Sequence, residues 1–151
     1  MEARDIIKSF CEKAGIGLEP DADGSCSFEA DGFLVTINDL HELDAVALVG
    51  DLGEPPPERL DALYKTMLEA NHLFGGTGGA TISLDPKTGH FALCRVLQCK
   101  ALDDDAFYAE AERFVSSVET WTKLIVNFRD TSPADNKVEE TSPAVTGFIA
   151  V

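Results

Sequence analysis

The chain is short of positive charge, of histidine and of any long apolar run, and each shortage excludes a class of function. Only 12 lysines and arginines stand against 27 aspartates and glutamates, a net charge of −15. Such a surface repels nucleic acid and anionic membrane, and it keeps a small protein in solution. No stretch approaches the roughly 18 apolar residues that a membrane span needs. The opening Met1-Glu-Ala-Arg-Asp5, followed by Ile6-Ile7-Lys8, lacks the sustained apolar segment of a secretory signal. The four cysteines, Cys11, Cys26, Cys94 and Cys99, form no Cys-x-x-Cys pair. With His41, His72 and His90 they show no metal-ligand spacing. The expectation is reduced, buried thiols with no metal and no cofactor. No histidine stands in a pattern with a nucleophile, and no serine or cysteine has an elbow context, so no catalytic residue is assigned.

What is present suits a single core: 151 residues, of which 44% are hydrophobic. Ala3, Ile6, Ile7, Phe10, Cys11 and Ala14 share one helical face, and Gly15 and Gly17 end that helix. Cys26, Phe28 and Ala30 alternate as in a strand, Asp31-Gly32 is a hairpin signal, and Phe33, Val35 and Ile37 mark the return strand. The apolar run Ala45–Val49 fits a strand buried on both faces, by the sheet's packing within and a partner outside. After the stiff Gly53-Glu-Pro-Pro-Pro57, Pro57 suits the first turn of a second helix carrying Leu60, Leu63, Tyr64, Met67 and Leu68. Two strands, 80–84 and 90–99, flank the turn Asp85-Pro-Lys-Thr-Gly89. Asp103 caps a last helix whose apolar positions Phe107, Ala111, Phe114, Val118, Trp121, Ile125 and Phe128 alternate in steps of four and three. The order α-β-β-β-α-β-β-α predicts an α+β sandwich, an antiparallel sheet with helices mainly on one face.

The run Gly75-Gly-Thr-Gly-Gly79 has glycines enough for a phosphate cradle, but no lysine follows and a strand, not a helix, comes next. A flexible helix-to-strand joint is the expectation there. Glu110 and Glu112 are placed on the solvent face of the last helix. If Phe33, Val35 and Ile37 face the core, alternation turns Leu34 outward, and likewise Ala45, Ala47 and Val49 beside Val46 and Leu48. Neighbouring outward apolar residues form a patch, and patches mark interfaces.

Between Leu63 and Leu97 the chain reads Met67-Leu-Glu-Ala-Asn71 at a helix end, then Gly75-Gly-Thr-Gly-Gly-Ala80, then Leu84-Asp-Pro-Lys-Thr-Gly89. In these motifs and their order it resembles the class I type III secretion chaperones, the CesT (Tir chaperone) family. The element order agrees over about residues 1–129. The resemblance implies a non-enzymatic, cytoplasmic bacterial protein that works as a homodimer. Such a protein holds an extended N-terminal segment of a secreted effector, keeping it soluble and fit for export, with the export ATPase of the secretion system as a further partner. Two copies would carry about −30 together, so apolar burial must join them. Carried onto this sequence, the dimer interface falls on Leu60, Leu63, Tyr64, Met67 and Leu68 of the second helix, with Ile82 and Leu84 of the following strand. The effector groove, along the first helix and strands, falls on Ile7, Phe10, Phe28, Leu34, Ala47 and Val49.

Two other readings share the composition: a small-ligand-binding or catalytic α+β domain with a closed pocket, and an acidic adaptor for folded partners. The triple proline 55–57 departs from the family pattern, as does everything past Asp130. There the composition turns to Thr-Ser-Pro and Glu-Glu, read as a flexible tail over 130–151 following a domain of 1–129. The apolar end, with Phe148, Ile149 and Val151, is expected to occupy the groove, of this copy or another, when no effector does.

Overall fold

The computed structural model describes residues 1–17 and 21–130. Its elements run α1 (Ala3–Lys13), β1 (Cys26–Ala30), β2 (Phe33–Leu40), β3 (Ala45–Gly53), α2 (Leu60–Asn71), β4 (Thr81–Leu84), β5 (Phe91–Gln98) and α3 (Asp104–Asp130), with short 3-10 turns between some of them. The predicted element order and the α+β class are therefore present. All pairings are antiparallel, in the spatial order β1-β2-β3-β5-β4. β1 and β4 are the edges, and among the described residues each has a strand neighbour on one side only.

α1 buries Ala3, Ile6, Ile7, Phe10 and Cys11. It stops at Lys13 because Gly15 takes a left-handed φ of +67°, which lets the Ile16 N–H reach back to the Cys11 carbonyl at 2.9 Å. Ala14, expected on the buried face, falls in this exposed cap instead. The β1–β2 hairpin turns through Asp31 and Gly32, both with positive φ, the conformation that matches the twist of the flanking strands.

β3 lies at the centre. Its Val46, Leu48 and Leu52 face the helices and belong to the core. Gly50 shares that face, and a Cβ there would stand 2.3 Å from Val118 Cγ2, so the absent side chain lets α3 cross close to the sheet. On the far face Ala45 and Ala47 are buried without help from outside. Ala47 sits between Asn38 of β2 and Val96 of β5, and a methyl group that low is closed off by its taller neighbours. The apolar run at 45–49 thus needs no external partner to explain it.

α3 buries every one of its seven predicted apolar positions. Asp103 Oδ1 accepts from the Ala106 N–H at 2.7 Å, closing the helix start as expected. α2 begins later than predicted, at Leu60 rather than Pro57. Pro56 is fully buried, and Arg59 turns left-handed to donate from Nη1 to the Phe128 carbonyl (3.1 Å) with its guanidinium 4.5 Å from the Phe128 ring. Holding the end of α3 in this way delays the helix. The tail with Phe148, Ile149 and Val151 lies outside the described residues.

Candidate functional site

Two surfaces emerge, one recessed and one protruding. The first is a groove of about 500 Å³ between the end of α1, the edge strand β1 and the first half of α3. Phe10 of α1, Ile16 just beyond it and Phe28 of β1 form part of its lining, and Tyr108, Ala111 and Val115 line it from α3. Phe10 is the hub: its ring centroid stands 5.4 Å from Phe28, 5.5 Å from Phe107 and 5.8 Å from Tyr108. Glu29, Asp31 and Glu112 supply acid to the lining. Beside it, Lys13 pairs with Asp105 and lies 5.0 Å from the Tyr108 ring. The hydrogen bond from that lysine holds the Asp105 carboxyl below the usual carboxylate range.

The six residues expected at an effector groove do not form one surface. Phe10 and Phe28 meet here. Ile7 is 0% exposed and belongs wholly to the core, so it cannot offer a contact. Leu34, Ala47 and Val49 stand on the opposite face of the sheet, as the register Thr36↔Val49 and Asn38↔Ala47 requires. The α3 wall was missed. Tyr108 and Val115, seven residues apart, form a second stripe beside the main apolar stripe, and that spacing was visible in the chain.

The second surface is the corner made by α2, its following turn and β4. Of the residues expected at a dimer interface, Leu63, Met67 and Ile82 are core and Leu60 is half-buried. Their amphipathic stripe is used up by this chain's own sheet. Tyr64, Leu68 (71% exposed) and Leu84 (51%) do face outward. Leu73 (83%) and Phe74 (53%), which sequence reasoning passed over, are exposed next to them in the chain. Both take left-handed φ values, 51° and 58°, a conformation that costs a non-glycine residue about 1–2 kcal/mol.

The glycine joint after them is pinned rather than flexible. Trp121 Nε1 donates to the Gly76 carbonyl at 3.1 Å, Arg95 donates to the Gly78 carbonyl, and the wholly buried Thr77 hydroxyl donates to the Ala80 carbonyl at 2.5 Å. A Cβ on Gly76 would come within 2.6 Å of Ala70 Cβ, which explains that glycine by close approach. Arg95 is anchored in turn by Glu110, 2.6 Å away. Glu110 was expected in solvent, but it turns toward the sheet to meet this cation. Asn71 gives the helix-end motif its reason. Its amide accepts from the Ile82 N–H (2.9 Å) and donates to the Ile82 carbonyl (3.1 Å), standing in for a sixth strand at the β4 edge.

No cluster of three or more potential metal ligands occurs among the described residues, and none of the described helices is long and apolar enough to cross a membrane.

Residues 5–122 match the sequence profile of the Tir chaperone protein (CesT) family. No curated protein shows significant sequence similarity to the chain. Among solved structures, a chain of the ExsC–ExsE complex superposes with a TM-score of 0.70 at 20% identity, covering 83% of this chain and 97% of that one. A chain from the Yersinia pestis type III secretion chaperone SycH in complex with a stable fragment of YscM2 gives 0.61 at 17% identity, covering 79% and 98%. One from the heterodimeric ExoU–SpcU complex of the Pseudomonas aeruginosa type III secretion system gives 0.60 at 16%, covering 78% and 95%.

Proposed function

The chain belongs to the Tir chaperone protein (CesT) family, and from that premise we propose that it is a cytoplasmic type III secretion chaperone acting as a homodimer without catalysis of its own. An N-terminal segment of a secreted effector lies extended along the free edge of β1, and its alternate apolar side chains fill the groove between α1 and α3. Backbone hydrogen bonds to an edge strand supply affinity that ignores sequence, while the pocket beside it supplies choice. The acidic lining favours basic residues flanking the apolar ones. Because the segment is ordered only on binding, the complex can be specific and still be taken apart by an export ATPase. Two copies meet through the α2–β4 corner, where Leu68, Leu73, Phe74 and Leu84 are exposed.

The observation that carries this reading is the coincidence, at β1, of an apolar groove and a strand edge that is unpaired among the described residues. Co-expression with candidate effector N-terminal segments, followed by pull-down and light scattering, tests it. A co-purifying segment on a particle containing two copies of this chain supports the reading. A monomer that retains no segment removes it.

A further inference from the structure

Neither Cys11 nor Cys26 lines the groove, yet their sulfurs lie 3.1 Å apart, both side chains are buried, and both thiols are free. A disulfide needs the sulfurs at about 2.05 Å, so roughly one ångström of travel separates this contact from a bond. Cys11 is in the last turn of α1, next to Phe10. Cys26 opens β1 and shares the strand face of Phe28. The other two cysteines are placed differently: Cys94 Sγ contacts the Ser83 hydroxyl at 3.5 Å, and Cys99 is buried in the turn after β5.

We propose that Cys11 and Cys26 form a reversible intrachain disulfide when the protein meets hydrogen peroxide, stapling α1 to β1 in the arrangement they already hold. One cysteine, as thiolate, attacks a peroxide oxygen. The O–O bond breaks, hydroxide leaves and takes up a proton as water, and the cysteine becomes a sulfenic acid. The second sulfur then attacks the first, its own proton goes to solvent, and the sulfenic hydroxyl departs as a second water. Two S–H bonds are lost, one S–S bond forms, and the peroxide is reduced to two waters.

Access and rate follow from position. Hydrogen peroxide is close to water in size, and the two thiols sit at a helix's last turn and a strand's first residue, where local opening is cheapest. Burial, with the neighbouring sulfur adding to it, pushes the Cys11 thiol up to about 12. The reaction is therefore slow at neutral pH and quickens as pH rises. The bond closes a loop across 15 residues and ties together two of the groove's three walls. Its consequence for effector binding rests on the reading above; its formation does not.

The test uses the full chain treated with hydrogen peroxide, then alkylated under denaturing conditions and mapped by mass spectrometry. The expected product has lost two hydrogens and carries two alkylated cysteines out of four. Its Cys11 and Cys26 peptides are linked, and dithiothreitol restores the starting mass. Its denaturant midpoint rises, and amide exchange slows over 3–13 and 26–30. The same bond forms in a chain carrying Cys94→Ser and Cys99→Ser, a control that leaves the pair intact. A link through Cys94, Cys99 or a second chain overturns the proposal. So does sulfinic acid without a link, or four cysteines that all remain alkylatable. A failed pull-down with effector segments leaves this result standing, and a failed oxidation leaves the groove standing.

Discussion

The groove and the α2–β4 corner are built in opposite ways from the same kind of residue. In the groove, Phe10 and Phe28 are drawn inward and stacked, and carboxylates stand in the lining. At the corner, Leu68, Leu73 and Phe74 stand outward, two of them against backbone preference, beside a joint that Trp121, Arg95 and Thr77 hold fast. A recess with a free strand edge suits a guest that arrives unfolded and brings its own side chains. A rigid apolar projection suits a partner already folded, because the strain is borne before the encounter and no ordering cost remains. Under the proposed function, cargo goes to the first and a second copy of the chain to the second.

The largest expected effect separates the two outright. Leu68→Asp combined with Leu73→Asp should abolish dimerisation, since two leucines that each gain about 1.5 kcal/mol on burial are replaced by charges. Light scattering should then give a single-copy mass, while circular dichroism stays native because both side chains are already in solvent. Next comes the reverse case. Val115→Glu places a carboxylate in the α3 wall of the groove and should weaken a bound effector segment about tenfold, about 1.4 kcal/mol, with the dimer mass unchanged. If it dissociates the dimer instead, the two surfaces are not separate.

A smaller effect probes the joint. Trp121→Phe deletes the donor to the Gly76 carbonyl and should cost about 1 kcal/mol of stability, with faster amide exchange over 72–79 and none of that change at β1. The smallest effect near neutral pH concerns Cys11. Its thiol keeps its proton up to about 12 when folded, against an ordinary value of 9.0. The folded state therefore holds that proton more tightly than the unfolded one. The resulting stability is complete below pH 9 and is lost as pH rises toward 12. Urea midpoints at pH 8 and pH 10 should fall for the native chain, and fall less for Cys11→Ser.

Much of this was legible in the chain, and the gaps have physical causes. The alternating steps from Phe107 to Phe128 located α3 because a helix with one buried stripe writes its period directly into the sequence. Strand order was not readable, since β3 pairs with β5 across a helix and another strand, and pairing leaves no local mark. Periodicity named Ile7 and Phe10 as one face, but it could not tell the centre of that face from its rim, and only the rim reaches the groove. Glu110 was misplaced for a related reason: its partner Arg95 sits on the buried face of a strand fifteen residues away. Leu73 and Phe74 were overlooked because glycine-rich runs read as slack. Two large apolar residues directly before such a run were the available sign that it is held instead.

Hydrogen exchange on the protein bound to a co-expressed effector N-terminal segment, compared with the free protein, shows whether the segment lies on β1. Slowed exchange should concentrate in 26–30, the edge strand β1, and in 108–115 across the groove. Protection centred on the far face of the sheet, around Leu34 and Val96, with β1 unchanged, would contradict it.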